Sequence, residues 1–284
     1  MSHRVILLAA IVFALPTFAN GQECNVSGLK QTAEKLDSAK IESVLKLASE
    51  FEKSAKGQTP QCTETLFIEF RVLYYKALSE YEKAAVKTLN NSYPMEPKTE
   101  QKRKAELKQV GWELYESEGY YYIGEKGSWL LDRFRHVLTN PWIQYFNQRK
   151  LEIRQRFSED AALLISWESL RKRIAFWEEF LTQHPSFPLK DEINSYLDTY
   201  IRTFLTGLDN SQITVDYNNK ALRKEVKNAY ETFLNKDKSS RYYKIVGGYY
   251  EILKRSGFVV TEDLANYLNA QGIKSMKAVQ PPTY

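Results

Sequence analysis

Glu168 is the acidic residue in the most motif-like setting of this chain, the run Trp167-Glu168-Ser169-Leu170. A glutamate can act as a general acid where a cleft holds its pKa up. The competing role is a first-turn or salt-bridged carboxylate, since Arg171-Lys172-Arg173 follow directly. Other chemistry is scarce. Of three histidines, His3 falls in the extreme N-terminal segment. His136 has no glutamate or second histidine at metal-ligand spacing, and His184 stands at a helix end beside Pro185, where an imidazolium suits the helix dipole. The two cysteines, Cys24 and Cys62, form no CxxC or Cys/His cluster. Nucleophilic triads therefore lack their usual members. No metal or cofactor site is expected.

Tyrosine is abundant, at 19 residues. It clusters at Tyr74-Tyr75, Tyr120-Tyr121-Tyr122, Tyr242-Tyr243 and Tyr249-Tyr250. Phenols favour protein interfaces and stack on sugars, whereas packing between helices is their commonest structural use. Tyr120, Tyr121, Tyr122, Tyr242, Tyr243, Tyr249 and Tyr250 form a candidate binding surface. Asn25-Val26-Ser27 and Asn90-Asn91-Ser92 match the N-glycosylation pattern, which has meaning only in a eukaryotic secretory pathway.

The N-terminus reads as a secretory leader. Arg4 precedes an apolar run over 5–15 and then Pro16-Thr17-Phe18-Ala19, which places cleavage after Ala19. The run falls short of the ~20 residues that span a bilayer. No later run is long enough, so the mature chain is expected to hold no integral membrane segment. In an oxidising compartment Cys24 and Cys62 should pair. That bond would add about 4 kcal/mol in the chain-entropy model. The net charge of +5 is spread over 40 basic and 35 acidic residues without a dense basic block, so nucleic acid is not an expected partner.

Helical periodicity dominates. Ile41, Val44, Leu45, Ala48 and Phe51 form one stripe, with Asp37 or Ser38 as N-cap and Gly57 as the stop. Leu66, Phe70, Leu73, Ala77, Tyr81 and Ala84 form the next, ending in the linker 90–97. A third helix is predicted from about 99 toward 121, broken by Gly124 and Gly127. After it, Ser128 and Asn140-Pro141 open two more. Ser158 is predicted to cap a helix carrying Leu163, Trp167, Leu170, Ile174, Trp177 and Leu181. Helices around Tyr196–Phe204, Val226–Phe233 and Val246–Leu253 follow, with a last one capped by Thr261. No strand-type alternation is predicted, and 213–215 is too short to found a sheet. Gly247-Gly248 inside a helix implies a close helix crossing or a kink.

Two segments repeat. Trp177 with Tyr196 and Tyr230 with Tyr249 lie at a constant offset of 53 positions, across the similar runs Trp-Glu-Glu-Phe-Leu and Tyr-Glu-Thr-Phe-Leu. A constant offset across two helices predicts stacked hairpins. The junction Phe180-Leu181-Thr182-Gln183-His184-Pro185-Ser186-Phe187-Pro188 resembles that of exported tetratricopeptide-like proteins, over residues 160–257. The resemblance implies a curved solenoid that binds other proteins. The small residues of close tetratricopeptide packing are replaced by bulky aromatics, and the period exceeds 34, so that family's peptide-contact positions are not carried over. Glu168-Ser169 is similar to the catalytic pair of lytic transglycosylases, exported helical enzymes. That family's downstream glycine-rich segment with Met-Gln is absent here.

The reading is an all-α chain, an irregular stack of helical hairpins with about ten helices. Its parts are a leader at 1–19, an N-terminal hairpin region at 20–92, a main repeat domain at 93–272 and a flexible tail at 273–284. The expected protein is secreted or periplasmic and non-enzymatic. Its expected partner is another envelope protein or a peptide, with carbohydrate or a cell-wall activity of Glu168 as the alternative. Sequencing of the native exported form should begin at Asn20; an intact Met1 would reject the leader.

Overall fold

The computed structural model describes residues 24–37 and 39–273. The expected leader, Ser38 and the expected tail beyond 273 lie outside the described residues. Eleven helices and two small two-stranded sheets are described, so the chain is mainly all-α.

The N-terminal part is a set of helices sewn by one covalent bond. α1 (Ser27–Glu34) and α2 (Ile41–Ala55) pack on the 32-residue α3 (Pro60–Asn91). The Thr59 hydroxyl accepts from the Cys62 amide and Pro60 takes the first turn, so α3 starts with its end groups satisfied. α1 buries only Leu29 and has no side-chain cap. The Cys24–Cys62 disulfide, with Cα atoms 5.2 Å apart, ties this weak helix to the start of α3. Lys40 precedes α2, so the expected Asp37 or Ser38 cap is corrected; Asp37 instead accepts from the Ala39 amide.

Two predicted helices give way to hairpins. The expected helix over 99–121 is only α4 (Pro97–Lys108), closed by Gly111 at φ 75°. β1 (Trp112–Ser117) and β2 (Tyr120–Glu125) then pair antiparallel, from Trp112↔Glu125 to Ser117↔Tyr120. Glu118 and Gly119, at φ 51° and 80°, make the two-residue left-handed turn that matches strand twist. Trp112, Leu114, Tyr121 and Ile123 alternate inward, a period of two that helix spacing had masked. The outer edge of β2 is closed by α3: Asn90 brackets the Tyr121 backbone at both N and O, and Glu82 accepts from the Ile123 amide. These contacts cross position 92, and buried residues on both sides of it belong to one hydrophobic cluster.

α5 (Trp129–Phe134) and α6 (Asn140–Arg154) follow. Ser158 caps no helix. β3 (Ser158–Glu159) and β4 (Ala162–Leu163) form a second tight hairpin, its Asp160-Ala161 turn held by Asn210, whose amide groups reach both turn carbonyls. α7 (Trp167–Gln183) starts after Ser166, whose hydroxyl accepts from the Ser169 amide. Leu163 therefore stands outside the α7 stripe.

The repeat holds in detail. α7 and α8 (Lys190–Thr206) form one hairpin; α9 (Lys224–Lys236) and α10 (Tyr243–Arg255) form the other. The His184 amide donates to Phe180 O at 2.8 Å, and 53 positions on Asp237 donates to Phe233 O at 2.8 Å. Phe187 to His184 matches Ser240 to Asp237, both at 3.0 Å. The ring pair Trp177–Tyr196 at 6.1 Å recurs as Tyr230–Tyr249 at 5.9 Å. The stacking stops there for a chemical reason. Arg171 and Ile174 of α7 are buried, but their counterparts Lys224 and Lys227 are exposed and half-buried cations, the polar outer face of a terminal repeat. α11 (Glu262–Ala270) instead covers α10. Gly248 makes that crossing possible: a Cβ there would lie 2.3 Å from Tyr267 Oη, which donates to Ile245 O at 3.1 Å.

Two outcomes follow. Trp177→Ala should lower unfolding free energy by about 3–5 kcal/mol, since its side chain is fully buried; chemical denaturation measures it. Reducing Cys24–Cys62 should cost about 2–4 kcal/mol and expose α1 amides to hydrogen exchange before those of α3.

Candidate functional site

Three helices each present a pair of polar side chains four residues apart, and the pairs converge. α3 gives Arg71 and Tyr75, α6 gives Tyr145 and Arg149, and α8 gives Glu192 and Tyr196. Spacing of four puts each pair on one helix face. Glu125, the last residue of β2, completes the group.

Glu192 is the centre of the outer layer. Its Oε2 accepts from Arg71 at 2.7 Å, and its Oε1 accepts from the Tyr145 and Tyr196 hydroxyls, each at 2.5 Å. Burial pushes this carboxyl up, but Arg71 and the two phenols outweigh it and hold it below the usual glutamate range. Its side chain keeps 29% of its surface open, and that of Arg71 keeps 14%. Arg71 lies 4.6 Å over the Tyr75 ring, and its buried Nε has no hydrogen-bond partner among the described residues. The Tyr75 hydroxyl donates to Glu125 Oε2 at 2.5 Å. Burial raises Glu125, with Tyr75, Arg149 and Arg71 only partly offsetting it. Two carboxyls of one cluster are thus driven in opposite directions. Burial also raises the phenols of Tyr75, Tyr145 and Tyr196 well above their ordinary value.

Behind this layer lies a closed one. Glu152, on α6, accepts from Gln148 Nε2 at 2.7 Å and Trp177 Nε1 at 2.9 Å on one oxygen. Its other oxygen accepts from Arg149 at 3.1 Å and Tyr200 at 3.0 Å. Arg149 in turn stacks 4.5 Å over the Tyr196 ring, which joins the two layers.

The sequence-predicted residues lie elsewhere. Glu168 accepts two hydrogen bonds from Arg171, both at 2.8 Å, which lower its pKa. A general acid needs the opposite shift. Tyr121, Tyr242, Tyr249 and Tyr250 are buried, so the candidate tyrosine surface is corrected at those positions. Tyr249 donates to Leu205 O, Tyr250 to Glu231 and Tyr242 to Asp198. Tyr122 stacks on Tyr115, Tyr243 is half-buried, and Tyr120 is open at 65%. Asn90, of the second glycosylation pattern, spends its amide on β2. His184 approaches Gln144 of α6 at 3.3 Å. Among the described residues no group of histidine, cysteine, aspartate and glutamate is placed to hold a metal ion. Sequence reasoning missed the Arg71, Glu125 and Glu192 cluster. Its sole signal was three polar pairs at a spacing of four, which any solvated helix face also shows.

Comparison with known proteins returns no family model, no curated protein and no solved structure that matches the chain.

Opposite pKa directions give opposite pH signatures. Glu192 adds stability above its unfolded pKa, and that stability is lost as pH falls through its lowered folded value. Glu125 adds stability below its unfolded pKa, and loses it as pH rises through its raised folded value. Glu125→Gln should therefore raise the thermal midpoint at pH 7 and lose that advantage at acidic pH. Glu192→Gln should lower the midpoint at pH 7. Glu152→Ala should cost about 3–5 kcal/mol by removing the buried carboxylate that accepts from Arg149, Trp177 and Tyr200. Calorimetry over a pH series checks all three.

Proposed function

We propose that the chain is an exported, non-enzymatic interaction protein of the periplasm or cell envelope, with another envelope protein or a peptide as partner. What carries this reading is a group of exposed apolar residues around the connection between the two hairpins. Val215 and Tyr217 stand on it at 46% and 66% exposure. Val259 lies beside it, since its neighbour pairing is with Ala221, whose carbonyl accepts from the Val215 amide. Leu164 adjoins it too, because the preceding Leu163 amide donates to Ser211 of the connection. Open apolar residues on and beside one connection suit a protein partner. The duplicated hairpin supports the same reading, because the tetratricopeptide-like proteins that its junction resembles bind proteins. The bidentate Arg171–Glu168 pair counts against the cell-wall activity. A Cys24–Cys62 bond and the lack of any described helix able to cross a membrane are compatible with export.

Tyr217→Ser with Val259→Ser should abolish capture of a specific protein from envelope extracts while leaving the melting temperature within a degree or two of wild type, as surface changes do. Glu168→Gln should capture it unchanged. Peptidoglycan turnover by wild type that vanishes in Glu168→Gln would overturn the reading.

A further inference from the structure

We propose that the outer face of α4 is a docking surface for an anionic phospholipid bilayer, held by charge. This rests on the export reading and uses a different surface from the loop between the hairpins. Three observations carry it. First, the face is open. Leu107 is the one buried residue of α4, and at about 3.6 residues per turn it stands opposite Lys98, Lys102, Ala105 and Gln109, all exposed. Second, the face carries one sign. Lys98, Lys102 and Lys108 are exposed and enter no ion pair among the described residues. The two acids of α4 lie off this face and are neutralised by their own neighbours, Glu100 by Lys104 at 2.5 Å and Glu106 by Arg103 at 3.3 Å. Glu96, exposed at the helix start, is engaged in capping through the Thr99 amide. Exposed Lys126 extends the row, because its amide donates to Gly111 O while the Gly111 amide donates to Lys108 O. Third, the face is convex, and its exposed positions hold no large apolar side chain.

Charge complementarity then selects the occupant. A convex row of ammonium groups meets many headgroup phosphates at once, and each lysine near an anionic bilayer strengthens binding by roughly fivefold. Insertion needs an apolar helix face, which α4 lacks, so the helix lies on the headgroups. No described helix is long and apolar enough to cross a membrane, and α4 gives such a chain a way to stay at the envelope.

The test is co-sedimentation of the purified mature chain with vesicles of mixed phosphatidylglycerol and phosphatidylcholine, against vesicles of phosphatidylcholine alone. Wild type should bind the first and not the second, and should be released as added salt shortens the screening length. Lys98→Gln with Lys102→Gln and Lys108→Gln should weaken binding by roughly hundredfold, and each single change by roughly fivefold. Removing the same charge elsewhere, with Lys224→Gln, Lys238→Gln and Lys244→Gln, should leave binding close to wild type; all three are exposed. Thermal melts confirm that the variants are folded. Soluble poly-glutamate serves as competitor and should displace the chain poorly at equal charge. Three results would overturn the proposal: no binding to anionic vesicles at low salt, equal losses in the two triple variants, or preference of the α4 face for poly-glutamate, which would assign it to an acidic protein. Failure of the export reading shows separately, as an intact Met1 in the native protein.

Discussion

The Glu152 carboxylate is taken out of water at the meeting of α6, α7 and α8, with 1% of its side chain exposed. An ionised carboxylate in such a place is costly unless all its lone pairs are used. Here Gln148, Arg149, Trp177 and Tyr200 use them, two donors to each oxygen. Because the donors come from three helices, the group fixes their relative rotation as well as their contact. Apolar packing alone tolerates exchange among similar side chains, whereas a four-donor carboxylate accepts one arrangement. The first hairpin of the repeat is thereby locked to α6. Phe187 in its turn packs on Trp142 and Tyr145, at 4.8 and 5.4 Å, from the same side.

The second hairpin docks on the first by a different chemistry. Its turn supplies Asp237 to the buried Arg171 at 2.7 Å, Arg241 to Asn194 and Tyr242 to Asp198. Each hairpin thus seats its turn on the element before it, first through aromatic rings and then through polar pairs. Lys224 and Lys227 then replace the buried positions of α7, and the series ends. A repeat that ends in lysines is protected against stacking on further copies. Glu168, the most suggestive acid in the sequence, belongs to this docking: it and Asp237 share Arg171 between them.

Tyrosine explains much of what joins the parts. Tyr74 donates to Val110 O, Tyr230 to Phe204 O and Tyr249 to Leu205 O, all buried. A ring fills the core while its hydroxyl satisfies a carbonyl at a helix end or turn that lacks a partner of its own. Doublets such as Tyr249-Tyr250 are helical neighbours turned in different directions, each anchored to its own acceptor. That is why a list of adjacent tyrosines does not describe a surface.

Sequence alone determined the helical class, the disulfide and the 53-position repeat, because each rests on local periodicity or on a pairing without competitors. It also aligned Trp177 with Tyr230 and Tyr196 with Tyr249 at the offset of 53, whereas the burial of Tyr249, taken in the sequence as part of a binding surface, was decided by the fold. It misjudged 112–125 and 158–163. In the first, the aromatic alternation of a hairpin imitates part of a helical stripe, and in both the left-handed turns, at Glu118-Gly119 and Asp160-Ala161, carry a weak local signal. In both places the deciding partner is remote: Asn90 and Glu82 for the first hairpin, Asn210 for the second. The polar cluster was settled only by tertiary structure. Arg71, Glu125, Tyr145 and Glu192 are separated by up to 121 positions along the chain, between Arg71 and Glu192. A charge on a helix face reads the same in sequence whether it meets water or a second charge. Burial and an opposite partner, which only the fold supplies, turn four ordinary surface residue types into one site.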